Sequence, residues 1–263
     1  MNNYNQYWED FIAEWARWSS VKSTIGGWTN PDNLPLCNKD WNDLTSQYIP
    51  EPWWGNDGTQ PLHSVVINFN PGEGGCLQKR GTIPYVSSFA KDIVGNPNVL
   101  PKTRQWHQTR RAMRVLNTLY RLKYIKKPYG LENHLSVELI PWHTKGVNCC
   151  SILYLKQNIK AVYEHSICFA ANESRRIVND KLRNVVIVRM NDVNTKIVLD
   201  ELNLIGIGSK TMPASNKLTS GNGHYMVFKL NTLPDIKFVS IWGNNSRNDF
   251  PSNNDMDLIF KSI

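Results

Sequence analysis

Residues 64–85 read Ser-Val-Val-Ile-Asn-Phe-Asn-Pro-Gly-Glu-Gly-Gly-Cys-Leu-Gln-Lys-Arg-Gly-Thr-Ile-Pro-Tyr, an apolar run followed by a glycine-rich loop. The β-branched character of residues 64–69 predicts a buried strand. Pro71 and Gly72 then force a sharp exit from that strand. Because α/β proteins bind ligands at the carboxyl ends of their strands, the amide, carboxylate and aromatic side chains of this loop predict a functional site.

Three further apolar runs have the same strand pattern and alternate with helical patterns. The predicted strands are residues 64–69, 135–140, 184–190 and 236–242, and the predicted helices are residues 87–94, 104–125, 157–180 and 191–203. Strands that alternate with helices favour a mainly parallel sheet covered on both sides. The sequence therefore predicts an α/β fold, as a single three-layer domain with a central mainly parallel β-sheet flanked by helices. Residues 224–230 are a candidate for an added strand.

We expect one domain over residues 1–263, with residues 1–63 as an N-terminal helix and wrapping extension. Residues 4–18 carry apolar side chains at helical spacing, which predicts an amphipathic helix. Residues 26–63 are rich in Gly, Pro, Asn and Trp, which is typical of irregular structure. Within them, Trp53 and Trp54 are interpreted as packing residues, and a surface platform is the alternative.

The composition excludes several classes of protein. With 263 residues, 41% hydrophobic and 20% charged, the chain can bury a large core and is unlike a disordered sequence. Its apolar runs are far shorter than a membrane span and its N-terminus is polar and acidic, so we expect a cytoplasmic protein without membrane contact. The five cysteines form no CxxC pair, so we expect no metal and no other cofactor. We also expect a monomer.

Positive charge is concentrated in one window of the chain. The formal net charge is +8, and residues 101–131 contain no acidic residue but nine of the 30 Lys and Arg residues. Aromatic residues are interleaved with them, which is typical of nucleic-acid binding. The predicted apolar stripe of this helix consists of Met113, Leu116, Tyr120 and Tyr124. The arginines left to face outward are Arg110, Arg111, Arg114 and Arg121. We expect the first three to contact DNA phosphates, and a solvated helix face is the alternative.

Three strand-end segments resemble, in order, the three motifs of the uracil-DNA glycosylase superfamily. They are Asn70-Pro71-Gly72 with Gly81-Thr-Ile-Pro84-Tyr85, Val137-Glu138-Leu139-Ile140-Pro141-Trp142-His143, and Ile241-Trp242-Gly243-Asn244-Asn245-Ser246-Arg247-Asn248. The chain is most similar to the mismatch-specific and single-strand-selective branches, over residues 64–262. The resemblance implies an enzyme that flips a base out of DNA and hydrolyses its N-glycosidic bond. No lysine matches the pocket positions, so we expect a monofunctional glycosylase without a lyase step.

The first motif supplies the hydrolytic groups that the resemblance implies. Asn70 matches the residue that positions the attacking water. Glu73 is a candidate for a stronger base or for stabilising the cationic sugar, and a solvent-facing turn acid is the alternative. Tyr85 matches the aromatic residue on which the flipped base stacks, worth about 1–3 kcal/mol per base, and a core tyrosine is the alternative.

The second motif departs from the family at Glu138, where a uracil-reading member has Asn. A carboxylate cannot donate to O4 of uracil, but it pairs with the N4 amino group of cytosine. We therefore predict a cytosine-type base. The alternatives are that Glu138 turns away or pairs with Arg189 or His143. His143 itself is a candidate for contacting phosphate or for pairing with Glu138. Asn68 stands where relatives usually have glycine, at the predicted floor of the pocket.

The third motif lacks the histidine that bonds the departing base in most relatives. Asn244 or Asn245 is a candidate to donate to the base O2 instead. Arg247 matches the residue that plugs the gap left by the flipped nucleotide, and Phe250 is an alternative wedge. Cytosine is a poor leaving group, so a bulky or electron-withdrawing 5-substituent would favour hydrolysis. The predicted substrate is thus a modified cytosine such as 5-hydroxymethylcytosine or its glucosylated form.

Two other functions remain open at this point. One is a repair glycosylase for uracil or 5-hydroxymethyluracil, in which Glu138 does not read the base. The other is a catalytically inactive nucleic-acid-binding module, because Glu138 and the missing histidine are both compatible with lost catalysis. Because modified cytosines occur in some phage genomes, defence against phage DNA is a further hypothesis for the leading function.

Overall fold

The predicted strand at the start of the glycine-rich loop is present as Ser64–Asn68 and lies inside a mixed α/β structure. The computed structural model describes residues 6–10, 53–56, 60–68, 102–126, 130–139, 164–170, 172–173, 185–189, 216–219, 223–230, 233–243 and 251–262. Among these residues, seven strands form one sheet in the order β1-β3-β2-β4-β7-β6-β5. The strands are β1 (Trp53–Gly55), β2 (Ser64–Asn68), β3 (His134–Glu138), β4 (Val185–Arg189), β5 (Asn216–Lys217), β6 (Gly223–Leu230) and β7 (Leu233–Gly243).

The sheet combines parallel and antiparallel pairs. β2 pairs in parallel with β4, and β4 pairs in parallel with β7. β6 is antiparallel to both β7 and β5. Side-chain contacts between β2 and β3 follow the same order along both strands, from Ser64 with His134 to Asn68 with Ser136. That order is the one expected of parallel neighbours, so β3, β2, β4 and β7 run in the same direction.

Two long helices accompany the sheet within the described ranges, α1 (Lys102–Arg121) and α2 (Asn253–Lys261). α1 and the four principal strands confirm the predicted elements to within a few residues, and the candidate strand at residues 224–230 is present as β6. α2 was not predicted. Its start carries the signal of a capping box, because the Ser252 hydroxyl accepts from the Asp255 backbone N–H. The predicted helices at residues 87–94 and 191–203 lie outside the described residues.

The buried stripe of α1 differs from the predicted one. Its fully buried apolar residues are Ala112, Val115, Leu116 and Leu119, whereas Tyr120 is 44% exposed. Met113 and Tyr124 are half-buried. Small and aliphatic side chains let the helix lie close to the sheet, and the larger Tyr120 ring falls on a flank. The prediction that Tyr120 belongs to the core is therefore wrong.

One hydrophobic cluster joins the centre of the sheet to both helices. Its strand residues include Val66, Ile187, Val239 and Ile241, and α1 contributes Val115 and Leu119. From α2 come Met256, Ile259 and Phe260. Val66 is in register with Ile187, and Ile187 with Val239, so their side chains lie on one face of the sheet. This face is where α1 and α2 pack.

The chain divides into two compact units that alternate along the sequence. One comprises residues 1–54, 69–106 and 137–169, and the other residues 55–68, 107–136 and 170–263. In the first unit, residues 6–10 and 164–169 are helical, and the Tyr7 ring stacks on His165 with centroids 3.6 Å apart. Trp53 and Trp54 are buried, which confirms them as packing residues. They belong to β1, so this part of residues 26–63 is a strand and not irregular.

No helix within the described part of the chain is both long and apolar enough to cross a membrane.

Candidate functional site

The three motif segments begin within two residues of the ends of three strands of one sheet, β2, β3 and β7. β2 ends at Asn68, in register with Arg189 at the end of the parallel strand β4. β7, which is parallel to β4, ends at Gly243. β3 ends at Glu138 beside β2 in the strand order. The carboxyl ends of parallel strands meet at one edge of a sheet, so this edge is where the chain enters all three motifs.

β3 carries a row of buried polar residues toward that edge. His134, Ser136 and Glu138 alternate with Leu135 and Val137, so the three polar side chains point to one face of the strand. Such alternation is typical of a strand with one face in water. Here Glu138 is only 2% exposed, and His134 and Ser136 are equally buried. Buried polar groups need hydrogen-bond partners, so this row has to be built into the protein by specific contacts.

β2 supplies two of those contacts. The Asn68 amide nitrogen donates to the Ser136 hydroxyl at 2.8 Å, and the Ser64 hydroxyl lies 2.6 Å from Nδ1 of His134. Both contacts are buried. Asn68 was predicted as a pocket-floor residue, but Ser136 was missed. Its signal was present in the sequence, because a period of two places Ser136 on the same side of β3 as Glu138.

Burial keeps the imidazole of His134 uncharged. Removal from water lowers the pKa of His134 to about 3. The ring is therefore neutral at physiological pH, and its bond to Ser64 is one between neutral partners.

The position of β3 is fixed on its other side by β1 and the residue that follows it. The Asn56 backbone N–H donates to the His134 carbonyl oxygen at 2.7 Å, and its side-chain amide donates to the carbonyl oxygens of Gln60, at 2.9 Å, and Glu132. Gly55 has φ +109°, and a Cβ there would collide with the His134 carbonyl oxygen. Only glycine tolerates both the backbone angle and this close approach.

The predicted DNA-binding arginines of α1 differ in their surroundings. Arg110 is exposed and Arg111 is half-buried. Arg114 is half-buried, and its Nη1 donates to the Pro251 carbonyl oxygen at 2.7 Å. Burial, and then the neighbouring charge of Arg110, lower the pKa of Arg114. Arg121 forms an ion pair with Asp257 on α2. Of the three arginines expected to contact phosphates, Arg110 is the exposed one.

Eight predicted site residues lie outside the described residues, and their roles stay predictions. They are Asn70, Glu73, Tyr85, His143, Asn244, Asn245, Arg247 and Phe250. Asn70 follows the end of β2 by two residues and Asn244 directly follows the end of β7.

Comparisons with known proteins leave the family open. No model of a known protein family matches the chain, and no curated protein matches it. Within the described residues, a buried amide, a hydroxyl and a carboxylate lie on strands that lead into the motifs. These groups can donate and accept hydrogen bonds, which suits recognition of a neutral polar ring such as a nucleobase.

Proposed function

We propose that the protein is a monofunctional DNA glycosylase of the uracil-DNA glycosylase superfamily, with its three-layer fold, that removes a 5-modified cytosine from DNA. One observation carries the proposal: β3, β2 and β7, whose ends lead into the three motif segments, are members of one sheet and run in the same direction. Ligands of α/β proteins bind at the carboxyl ends of parallel strands, so we place the base at that edge.

Glu138 is the proposed reader of the base. It is buried at the end of β3, on the same side of that strand as Ser136. A buried carboxylate selects a partner that donates, because removing an acceptor from water is costly unless a donor replaces it. Cytosine offers its N4 amino group as such a donor, whereas uracil offers the O4 acceptor at the same place. Asn68, held by Ser136, is the proposed polar floor of the pocket.

Hydrolysis then requires water on the sugar carbon and a leaving base. Asn70, two residues beyond β2, is proposed to orient the water. The water oxygen bonds to C1′ as the bond from C1′ to the base nitrogen breaks, and the base departs with that electron pair. The attacking water releases one proton to solvent, the departing base anion takes up one proton from solvent, and an abasic site with a hydroxyl on C1′ remains. A bulky or electron-withdrawing 5-substituent on cytosine would ease the departure.

DNA is the proposed partner through its phosphates as well as its base. Arg110 is exposed on a helix with no acidic residue between Lys102 and Arg121, so α1 presents a positive surface. Binding to phosphates releases counterions, and affinity should therefore fall steeply with salt. We propose that the enzyme acts as a monomer in the cytoplasm, where a glycosylase for modified cytosine would act against phage DNA.

A panel of DNAs tests the proposed substrate. Duplexes and single strands would carry uracil, 5-hydroxymethyluracil, cytosine, 5-hydroxymethylcytosine or glucosylated 5-hydroxymethylcytosine, and alkali would cleave the abasic sites. We expect cuts confined to the modified cytosines, and none with Asn70→Ala. Cuts at uracil or 5-hydroxymethyluracil would instead assign a repair glycosylase and remove Glu138 as the reader.

Glu138→Gln is the matched variant for base choice. The amide can turn its oxygen or its nitrogen to the base and therefore fits uracil as well as cytosine, so the preference for modified cytosine over uracil should fall by about 10- to 100-fold. Tight DNA binding without cuts on any member of the panel would assign an inactive binding module.

A further inference from the structure

Arg114 stands on the side of α1 that meets α2, where three contacts run in the same order along residues 114–124 and residues 251–260. These contacts are Arg114 Nη1 to the Pro251 carbonyl oxygen, Arg121 to the Asp257 carboxylate, and the Tyr124 hydroxyl to the Phe260 carbonyl oxygen. The two helices therefore lie side by side and run in the same direction. Arg114 is at the level where α2 begins.

Pro251 is the first described residue after the third motif segment. Residues 244–250 connect the end of β7 to Pro251, and they include four of the predicted base and DNA contacts. Pro251 is itself buried. Next to it, Ser252 caps α2 and donates to the Asp255 carboxylate at 2.7 Å.

Asp255 extends this attachment to a second element. It is fully buried and accepts from the Thr219 backbone N–H at 2.7 Å and from the Thr219 hydroxyl at 2.5 Å. The start of α2, directly after Pro251, is thus held by a buried network that includes Thr219 after β5. Arg114 adds a contact from α1, the helix that carries the basic residues.

The neighbouring arginines have different environments. Arg110 is exposed, as a phosphate ligand needs to be, while Arg114 is half-buried and already donates to a main-chain oxygen. An arginine partly removed from water is stabilised by its fixed hydrogen bonds, so its removal disturbs what it holds. The pKa of Arg114, lowered by burial and by Arg110, agrees with this difference.

We propose that Arg114 is a positioning residue that fixes the third motif segment at Pro251, while Arg110 is the phosphate contact. Only the expected effect of Arg114 on catalysis rests on the proposed function, because the hydrogen bond between Arg114 and Pro251 involves no substrate. It replaces the prediction that both arginines contact DNA in the same way.

Arg114→Met and Arg110→Met are matched variants that remove the same charge one helical turn apart. Hydrogen exchange of peptides that span residues 243–256 tests the attachment without DNA. We expect exchange to accelerate at least tenfold in Arg114→Met and to stay unchanged in Arg110→Met. Arg114→Lys keeps the charge with a shorter side chain, and we expect this variant to accelerate exchange as well. If Arg114→Met does not fold, Arg114→Lys is measured in its place.

Salt dependence of binding to an unmodified duplex separates the two roles. Losing one phosphate contact lowers the slope of log affinity against log salt by about 0.9. We expect this loss in Arg110→Met and not in Arg114→Met. On a DNA that the protein cuts, Arg114→Met should lower kcat by about 10- to 100-fold with KM within about twofold, as for a misplaced catalytic segment.

The proposal would be overturned if Arg114→Met left hydrogen exchange of residues 243–256 unchanged and lowered the slope of log affinity against log salt. Arg114 would then be a phosphate contact. Failure of the proposed function has a different signature. If the wild-type protein cuts no DNA, the glycosylase proposal fails, while the exchange experiment still decides whether Arg114 holds the segment.

Discussion

One face of β3 and one face of β4, the two neighbours of β2 in the sheet, bury side chains of different polarity. On one side, β4 places Ile187 against Val66 in the hydrophobic cluster beneath α1 and α2. On the other side, β3 buries His134, Ser136 and Glu138, two of which contact polar residues of β2. Apolar burial stabilises the fold without specific partners, whereas each buried polar group has to be matched. β4 therefore contributes to the hydrophobic core, whereas one face of β3 carries a row of buried polar groups.

Acid should affect the β3 side most strongly, through His134. Its pKa is about 3 in the folded protein, below the value of about 6.5 expected in the unfolded chain. The unfolded state therefore binds the proton first, and stability is complete above about pH 6.5 and falls as the pH is lowered toward 3. The maximum loss is about 5 kcal/mol, at about 1.4 kcal/mol per pH unit.

Urea unfolding between pH 7.5 and 4 measures this loss in the wild-type protein and in His134→Asn. The variant keeps an amide near Ser64 but has no group that titrates in this range, so its stability should fall less steeply. Equal slopes for the two proteins would show that His134 is not the source of the acid sensitivity.

Truncation on the β4 side tests the apolar half of the comparison. Ile187→Ala removes three buried carbons from a residue with no exposed surface, and we expect a loss of about 2–5 kcal/mol in the free energy of unfolding. Ile187→Val should lose only about 0.5–1.5 kcal/mol. A loss below 1 kcal/mol for Ile187→Ala would mean that this side is not the structural core.

Ser136→Ala tests whether polar contacts on the β3 side depend on one another. It removes the acceptor for the Asn68 amide, and a buried donor without its acceptor costs about 1–3 kcal/mol. Because Asn68→Ala removes the same bond, the double variant should be less destabilised than the sum of the single variants. Thermal or urea unfolding of all four proteins measures the difference. Additive losses would mean that this contact contributes no stability.

Glu138→Gln should change stability least among these variants. The replacement has the same shape, and a residue retained for recognition contributes little to folding, so we expect the free energy of unfolding to change by less than about 1 kcal/mol or to rise. The preference for cutting at modified cytosine over uracil should fall at the same time. A loss of several kcal/mol with normal cutting would instead make Glu138 a structural residue.

Strand positions were predictable because they depend on local pattern. Apolar β-branched runs such as Ser64–Asn68 have to be buried, and the Asn-Pro-Gly that follows cannot continue a strand. The rotation of α1 was not predictable by the same reasoning. Tyr120 and Leu116 are both apolar enough to suit a buried stripe, and only the closeness of the helix to the sheet distinguishes them.

The candidate site was predictable in its strand-end residues and not in their partners. Asn68 and Glu138 are recognisable because they end apolar strands. Ser136 is an ordinary polar residue in an alternating strand until Asn68, 68 residues away, donates to it. Arg114 likewise resembles its neighbours in sequence, and Pro251, 137 residues away, distinguishes it.

The sequence by itself determined the four principal strands, where they end, and which chemical groups stand at those ends, because backbone propensity and hydrophobic pattern act over a few residues. Only the tertiary structure decided that the polar face of β3 is buried, that α1 turns Ala112 and Val115 to the sheet, and that Arg114 holds Pro251. The physical reason is that burial and hydrogen bonding of a side chain depend on what packs against it, and those partners are distant along the chain.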